Sequence, residues 1–245
     1  MFDWLPVSES AIIAGLIVTT VAATLQSTIG FGFAILSVPV LSLIDPKLAP
    51  VPQLLLIVPL TTAMLIREWS SLDLGGIGWV ILGRCIGAGL GVALLMVADQ
   101  FILDLSIAAI VFTAVIALTF VKTIPRNKFT ETIAGTVSGT GALVSSIGGP
   151  PLALLYRDSA GSTLRSSLAA IFAIGLVITI GARVSGGLIG LEDLIIALCL
   201  VPAIGVGLFF SKLLIGRVEG EPLRRGIIIV ASLAAIGLTL RALLR

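Results

Sequence analysis

The chain has 245 residues, 58% of them hydrophobic and 11% charged, with a formal net charge of +2. A soluble domain carries about 25% charged residues, whereas here the mean hydropathy is +1.20. This composition excludes a soluble enzyme, a nucleic-acid binder, a disordered chain and a disulfide scaffold, and is that of a polytopic membrane protein.

In chain order, Met1 to Ser10 has no basic residue ahead of its apolar stretch, so no cleavable signal is expected and the first span is retained. Residues 10–44 form one long apolar stretch, interrupted by Gly30-Phe31-Gly32 and Pro39. Spans are expected at 50–66, 75–97 and 101–121, followed by a basic break from Lys122 to Lys128. A second interrupted stretch covers 130–156, and further spans are expected at 166–188, 194–214 and 225–243. Lipid offers backbone groups no hydrogen-bond partner, so only helices or closed barrels cross it. The alternating strands of a barrel are not visible, which predicts an all-α protein of about eight transmembrane segments. Trp4, Trp69 and Trp79 fall near span ends, as interfacial tryptophans do. Cys85 and Cys199 lie far apart in apolar runs and read as small core residues. Histidine is absent, which removes the commonest metal ligand and the neutral-pH proton switch. No metal or cofactor is expected, and no nucleic acid.

The two halves look alike. A shift of 118 positions takes Leu25, Ser27, Ile29 and Gly30 onto Leu143, Ser145, Ile147 and Gly148, and takes Ile86, Gly87, Gly89 and Leu90 onto Ile204, Gly205, Gly207 and Leu208. The chain therefore divides into repeats at 1–122 and 123–245 within one membrane domain. Short cytoplasmic loops are rich in Lys and Arg. Breaks carrying Arg67, then Lys122, Arg126 and Lys128, then Arg157 and Arg165, then Arg217, Arg224 and Arg225 read as inside. Breaks at Asp99-Gln100 and Glu192-Asp193 read as outside, and Lys47, Arg241 and Arg245 fall on that side against the rule. The pattern closes only if 10–44 and 130–156 each return to the side they start from. A hairpin plus three crossings is an odd number of passes, so the halves are expected to be inverted repeats, as in many secondary transporters.

The broken stretches carry the chemistry. Glycine pairs and Pro150-Pro151 interrupt helices, and irregular backbone at membrane depth survives only against protein or a cavity. Each break leaves a helix start with free N–H groups and partial positive charge. Ser27, Thr28, Ser145 and Ser146 add hydroxyls, and Gln26 adds an amide in the first half only. With the N–H groups near Gly30, Gly32, Gly148, Gly149 and Pro150, two facing breaks would cradle a small oxyanion. The competing reading is a pair of kinks whose hydroxyls bond back to their own helices. Arg84, about ten residues or roughly 15 Å into its span, either complements an anion or snorkels to the interface. Arg183 sits near a span end and reads chiefly as snorkelling, and Lys212 as terminal. None of the carboxylates falls clearly inside a span; Asp104 and Glu131 lie near span starts, so a buried proton relay is not visible. Gly83, Gly87, Gly91, Gly205 and Gly207 read as close helix contacts.

Gly30-Phe-Gly-Phe-Ala-Ile-Leu-Ser-Val-Pro39 and Ser145-Ser-Ile-Gly-Gly-Pro-Pro151, set in two related halves, resemble the sulfite exporter TauE/SafE permeases. Ala34 stands where that family's first motif usually has a third glycine. The resemblance implies a multi-pass permease of the cell inner (plasma) membrane for sulfite, a sulfonate or another small sulfur-containing anion. It leaves proton coupling and homodimerisation open; a proton could travel on the substrate, since bisulfite and sulfite interconvert near neutral pH. The alternatives are a channel or carrier for another small solute, and a non-transporting membrane subunit. An intramembrane enzyme would need a base that the sequence does not offer.

Overall fold

The computed structural model describes residues 6–121, 124–216 and 220–244. Trp4, Lys122, Arg217, Arg245 and the side chains of Arg224 and Arg225 lie outside what it describes. Among the described residues there are ten α-helices and no strand: α1 Glu9–Ile29, α2 Phe33–Ile44, α3 Val51–Arg67, α4 Ile77–Leu95, α5 Gln100–Phe120, α6 Lys128–Ser145, α7 Gly149–Leu155, α8 Gly161–Ser185, α9 Leu191–Leu214 and α10 Gly220–Leu243. Six spans are long and apolar enough to cross a membrane: α1, α4, α5, α8, α9, and α3 together with the short turn that precedes it from Pro46. The other two expected segments fall short for different reasons. α6 is long enough but rich in Thr, Ser and Gly and is covered by other helices, while α10 is a 24-residue helix whose continuously described apolar stretch is Ile228–Arg241.

Local chemistry sets the helix ends. Ser8 Oγ accepts from the Ala11 N–H ahead of Glu9, Asp99 accepts from Ile102 N–H, and Asn127 with Thr130 forms a capping box, each satisfying an orphan donor of a first turn. α1 ends at Gly30 and α2 starts after Gly32, at φ of 105° and 114°, a region costly for any residue with a Cβ. At the second break the left-handed residue is Ser146, at φ 62°.

Both interrupted stretches are hairpins. Lys47, just after α2, donates to the Pro6 carbonyl ahead of α1. Tyr156, just after α7, lies under the Arg126 guanidinium at 4.3 Å, and Arg157 donates to Val121 O. Impermeant thiol labelling checks this in a background free of Cys85 and Cys199. Ser8→Cys and Lys47→Cys should react from one side of the membrane, and Lys128→Cys and Asp158→Cys from the other. Labelling of Ser8→Cys and Lys47→Cys from opposite sides would refute the first hairpin.

The hairpins exchange partners across the two halves. α4 packs most closely on α6, and α1 on α9. A Cβ added at Gly83 or Gly87 would stand 2.1 Å from the carbonyl oxygen of Thr132 or Thr136, and one at Gly207 would stand 2.6 Å from Ala23 Cβ. Gly91 likewise abuts Leu143. Gly205 does not belong to this set, since nothing lies within 4 Å of its would-be Cβ. The receiving glycines on α6, Gly135 and Gly139, were not expected from the sequence. The cysteines correct another expectation: Cys85 is exposed and Cys199 half-exposed. A small apolar residue facing lipid gives up nothing by leaving the core.

Charges gather at the two ends. One end holds Arg165 paired with Glu68 at 2.7 Å, and Arg126 paired with Asp73 at 2.6 Å and Glu131 at 3.4 Å. Arg126 and the Gly75 N–H hold the Asp73 carboxyl below its usual range. The other end holds Lys47–Glu192 and Arg241–Asp104, both at 2.9 Å. Of the three basic residues that run against the loop-charge rule, Lys47 and Arg241 are thus each matched by a carboxylate. Asp104 lies near the start of α5 as expected, and is 1% exposed there. Arg241 and the Gln100 amide take up its oxygens there, as burial of a carboxylate requires.

Candidate functional site

The two breaks meet. A Cβ built on Gly149 would lie 3.3 Å from Phe31 Cβ, so the start of α7 touches the loop ahead of α2. Beside this contact is a cavity of about 30 Å³, room for about two waters at 10–15 Å³ each. Gln26, Gly32, Ala34 and Ile35 line it from the first hairpin, and Ala142 and Ser146 to Gly149 from the second. α3 supplies Leu54 and Ile57, α8 supplies Phe172 and Leu176, and α4 supplies Arg84.

Donors dominate its polar side. Gln26 Oε1 accepts from the Phe33 N–H at 3.1 Å, which fixes the amide so that Nε2 is buried without a partner. The Ala34 and Ile35 N–H groups belong to the first turn of α2 and have no intrahelical acceptor. Arg84 is 3% exposed, so the interfacial reading of this residue does not hold. Its side chain is covered by protein on all sides instead of turning to the surface. Its Nη1 donates to Ser138 Oγ at 2.6 Å, while Nε has no partner. No carboxylate pairs with Arg84 among the described residues. A Cβ at Gly175 of α8 would stand 2.0 Å from Arg84 Nε, so only glycine there admits the guanidinium. A buried cation without a counter-charge is costly.

The structure does not bring all the expected residues to this cavity. Gln26, Gly32, Ser146, Gly148, Gly149 and Arg84 line it. Ser27 lies in a separate cluster, its hydroxyl within 2.8 Å of both Ser211 Oγ and Arg67 Nη1. The Thr28 and Ser145 hydroxyls donate back to the carbonyls of Thr24 and Gly141, because a threonine or serine inside a helix finds the i−4 carbonyl before anything else. Gly30 packs against Leu164 and Arg165. Pro150 faces a different, apolar cavity between α5 and α6. Even Ser146 donates to the Pro50 carbonyl at 2.9 Å.

Arg183 departs from the sequence expectation. It does not snorkel; it is 4% exposed and donates to the Leu143 and Val144 carbonyls. These are orphan carbonyls at the C-terminal end of α6, where a cation is favoured. Arg67 does the corresponding work at the end of α1, donating to Ser27 O at 2.8 Å. Ser138 and Gly175 also escaped notice. The one available signal was a glycine in mid-helix, which costs about 1 kcal/mol relative to alanine and so marks a close approach.

The family model for the sulfite exporter TauE/SafE matches residues 15–238. The chain belongs to the TauE/SafE family. TauE/SafE proteins are membrane permeases for sulfur-containing anions rather than enzymes, and the six long apolar helices here make this a multi-pass member. Neither the curated proteins nor the solved structures compared with the chain gave a match. In this TauE/SafE chain, Gly30 to Pro39 supplies the first break and most of α2, and Ser145 to Pro151 the second break and the start of α7.

Proposed function

We propose that the cavity between the two breaks is the binding site of a secondary permease for a small sulfur oxyanion such as sulfite. The observation that carries this reading is the Arg84 guanidinium, buried with no carboxylate partner among the described residues, in a cavity whose other unpartnered polar side-chain atom is the Gln26 Nε2 donor. A pyramidal oxyanion has only acceptors and would satisfy both. About 30 Å³ favours a small inorganic anion over one carrying a bulky organic group. The proton can ride on the substrate, so no buried relay is needed.

Alternating access follows from an inverted repeat, which the packing supports. Gly87 lies against Thr136, and Gly207 against Thr20. Shifting the first pair by 118 positions gives Gly205 and Val18, the same register two residues away. The Ser27–Arg67–Ser211 cluster closes the site toward one face, and the Ser146–Pro50 and Arg183 contacts close it toward the other. Rocking of the hairpins would open these closures in turn. The loop-charge rule puts the Arg67–Arg126–Arg165 face in the cytoplasm.

Radiolabelled sulfite uptake into proteoliposomes tests this. Saturable flux with counterflow, competed by sulfite analogues, is expected. Flux linear in concentration without counterflow would indicate a channel, and no flux of any sulfur anion would overturn the proposal.

A further inference from the structure

A second cavity, of about 630 Å³, opens between α5, α6 and α7, within the 300–1,000 Å³ range of ligand sites. It exists because α7 is only 7 residues long where α2 has 12. α2 packs along α10, whereas α7 ends at Leu155 and leaves α5 and α6 apart. On α5 the wall is recessed by Ala109, Thr113 and Ala117, four residues apart on one face; Ile133 and Val137 stand opposite on α6.

The walls offer water little. The hydroxyls of Thr130, Thr136 and Thr140 are spent on the carbonyls of Pro125, Thr132 and Gly87, which leaves the Thr113 hydroxyl alone on an otherwise apolar wall, and an ordered water needs about two to four polar partners. The crevice opens to the protein surface, and at membrane depth the filler available there is hydrocarbon. The dimensions agree. Along α6 the cavity runs from Thr130 to Gly141, about 16 Å at 1.5 Å per residue, against a leaflet depth of about 15 Å. It begins at the charged face and ends at the second break, whose Ile147 also walls the small polar cavity. At its mouth stands Arg157, donating to the carbonyl of the wall residue Val121 at 2.6 Å and paired with no carboxylate among the described residues.

We propose that this crevice holds one acyl chain of an anionic phospholipid, with its phosphate at Arg157. The lipid wedges α5 from α6 and backs the hairpin at Ile147 and Pro150.

Native mass spectrometry of the full chain, with phosphatidylglycerol and phosphatidylcholine added in equal amounts, tests the proposal. One bound phospholipid per chain is expected, with phosphatidylglycerol preferred about fivefold, the ratio that one basic residue near an anionic headgroup confers. Arg157→Glu should abolish that preference while leaving the protein folded. Ala117→Trp, which fills the crevice, should strip the lipid; Ala109→Phe serves if that variant does not fold. No retained lipid, equal retention of both lipids by the wild type, or unchanged retention in a folded filled variant would overturn it. So would a lipid-free dimer that the filling substitution splits.

Discussion

Arg84→Ala should lose anion flux by roughly a hundredfold or more, the effect of removing a desolvated charge of about 3 kcal/mol, with little change in melting temperature. The two readouts part because, among the described residues, Arg84 is buried without a carboxylate and makes one hydrogen bond to a side chain, with Ser138. Removing it leaves a single serine hydroxyl to find a new partner and relieves the burial of an unpaired cation. Arg84→Lys should restore only part of the flux. A lysine keeps the charge but loses the planar fork that reaches Ser138 and lies against Gly175. Ser138→Ala is the companion measurement and should weaken substrate affinity modestly, since it frees the guanidinium to shift. Wild-type flux in Arg84→Ala would remove the residue from the site. A melting temperature falling in step with flux would make it a packing residue instead.

Gly87→Ala should destabilise the protein by about 1–3 kcal/mol, the range for forcing an extra carbon into a packed contact, and lower its melting temperature accordingly. The new methyl group would sit 2.1 Å from the Thr136 carbonyl oxygen and 2.8 Å from the Thr140 nitrogen. Both are backbone atoms and cannot step aside, so α4 and α6 must separate. Separation also stretches the bond from Thr140 Oγ1 to the Gly87 carbonyl, now 3.1 Å. Two residues along the same helix the sign reverses. Gly89 has nothing within 4 Å of its would-be Cβ, and Gly89→Ala should stabilise by up to about 1 kcal/mol through helix propensity. Thermal melting of both variants in one detergent decides the matter. Equal shifts would mean that the α4–α6 contact is looser than described.

The sequence exposes the membrane class and most helix bounds because lipid removes the alternatives, leaving length and hydropathy to do the work. The breaks are legible for a related reason: Gly30, Gly32, Pro150 and Pro151 punctuate otherwise apolar runs. α6 is harder to read, since its outward signal is polar and only its cover by α4, α7 and α8 explains that. The site is legible by half. Gln26 and Arg84 stand out as polar residues at depth, and both line the cavity. The serines mislead because a hydroxyl has a local alternative, its own i−4 carbonyl, that the sequence cannot weigh against a distant ligand. Arg183 misleads because a basic residue near a helix end looks the same whether it reaches lipid headgroups or the carbonyls of another helix. Asp104 differs again, since the partner that permits its burial, Arg241, is 137 positions away.

The partner exchange between halves dictates an order of manufacture. α4 leaves the ribosome well before α6, so the groove at Gly83 and Gly87 must first face lipid or the insertion machinery. α1 waits longer still, for α9 and Gly207, about two thirds of the chain later. A ribosome that stops after α5 therefore leaves two open seams in the bilayer, which makes the truncated chain a natural substrate for membrane quality control. The finished protein has neither seam, because each half is closed by a helix of the other.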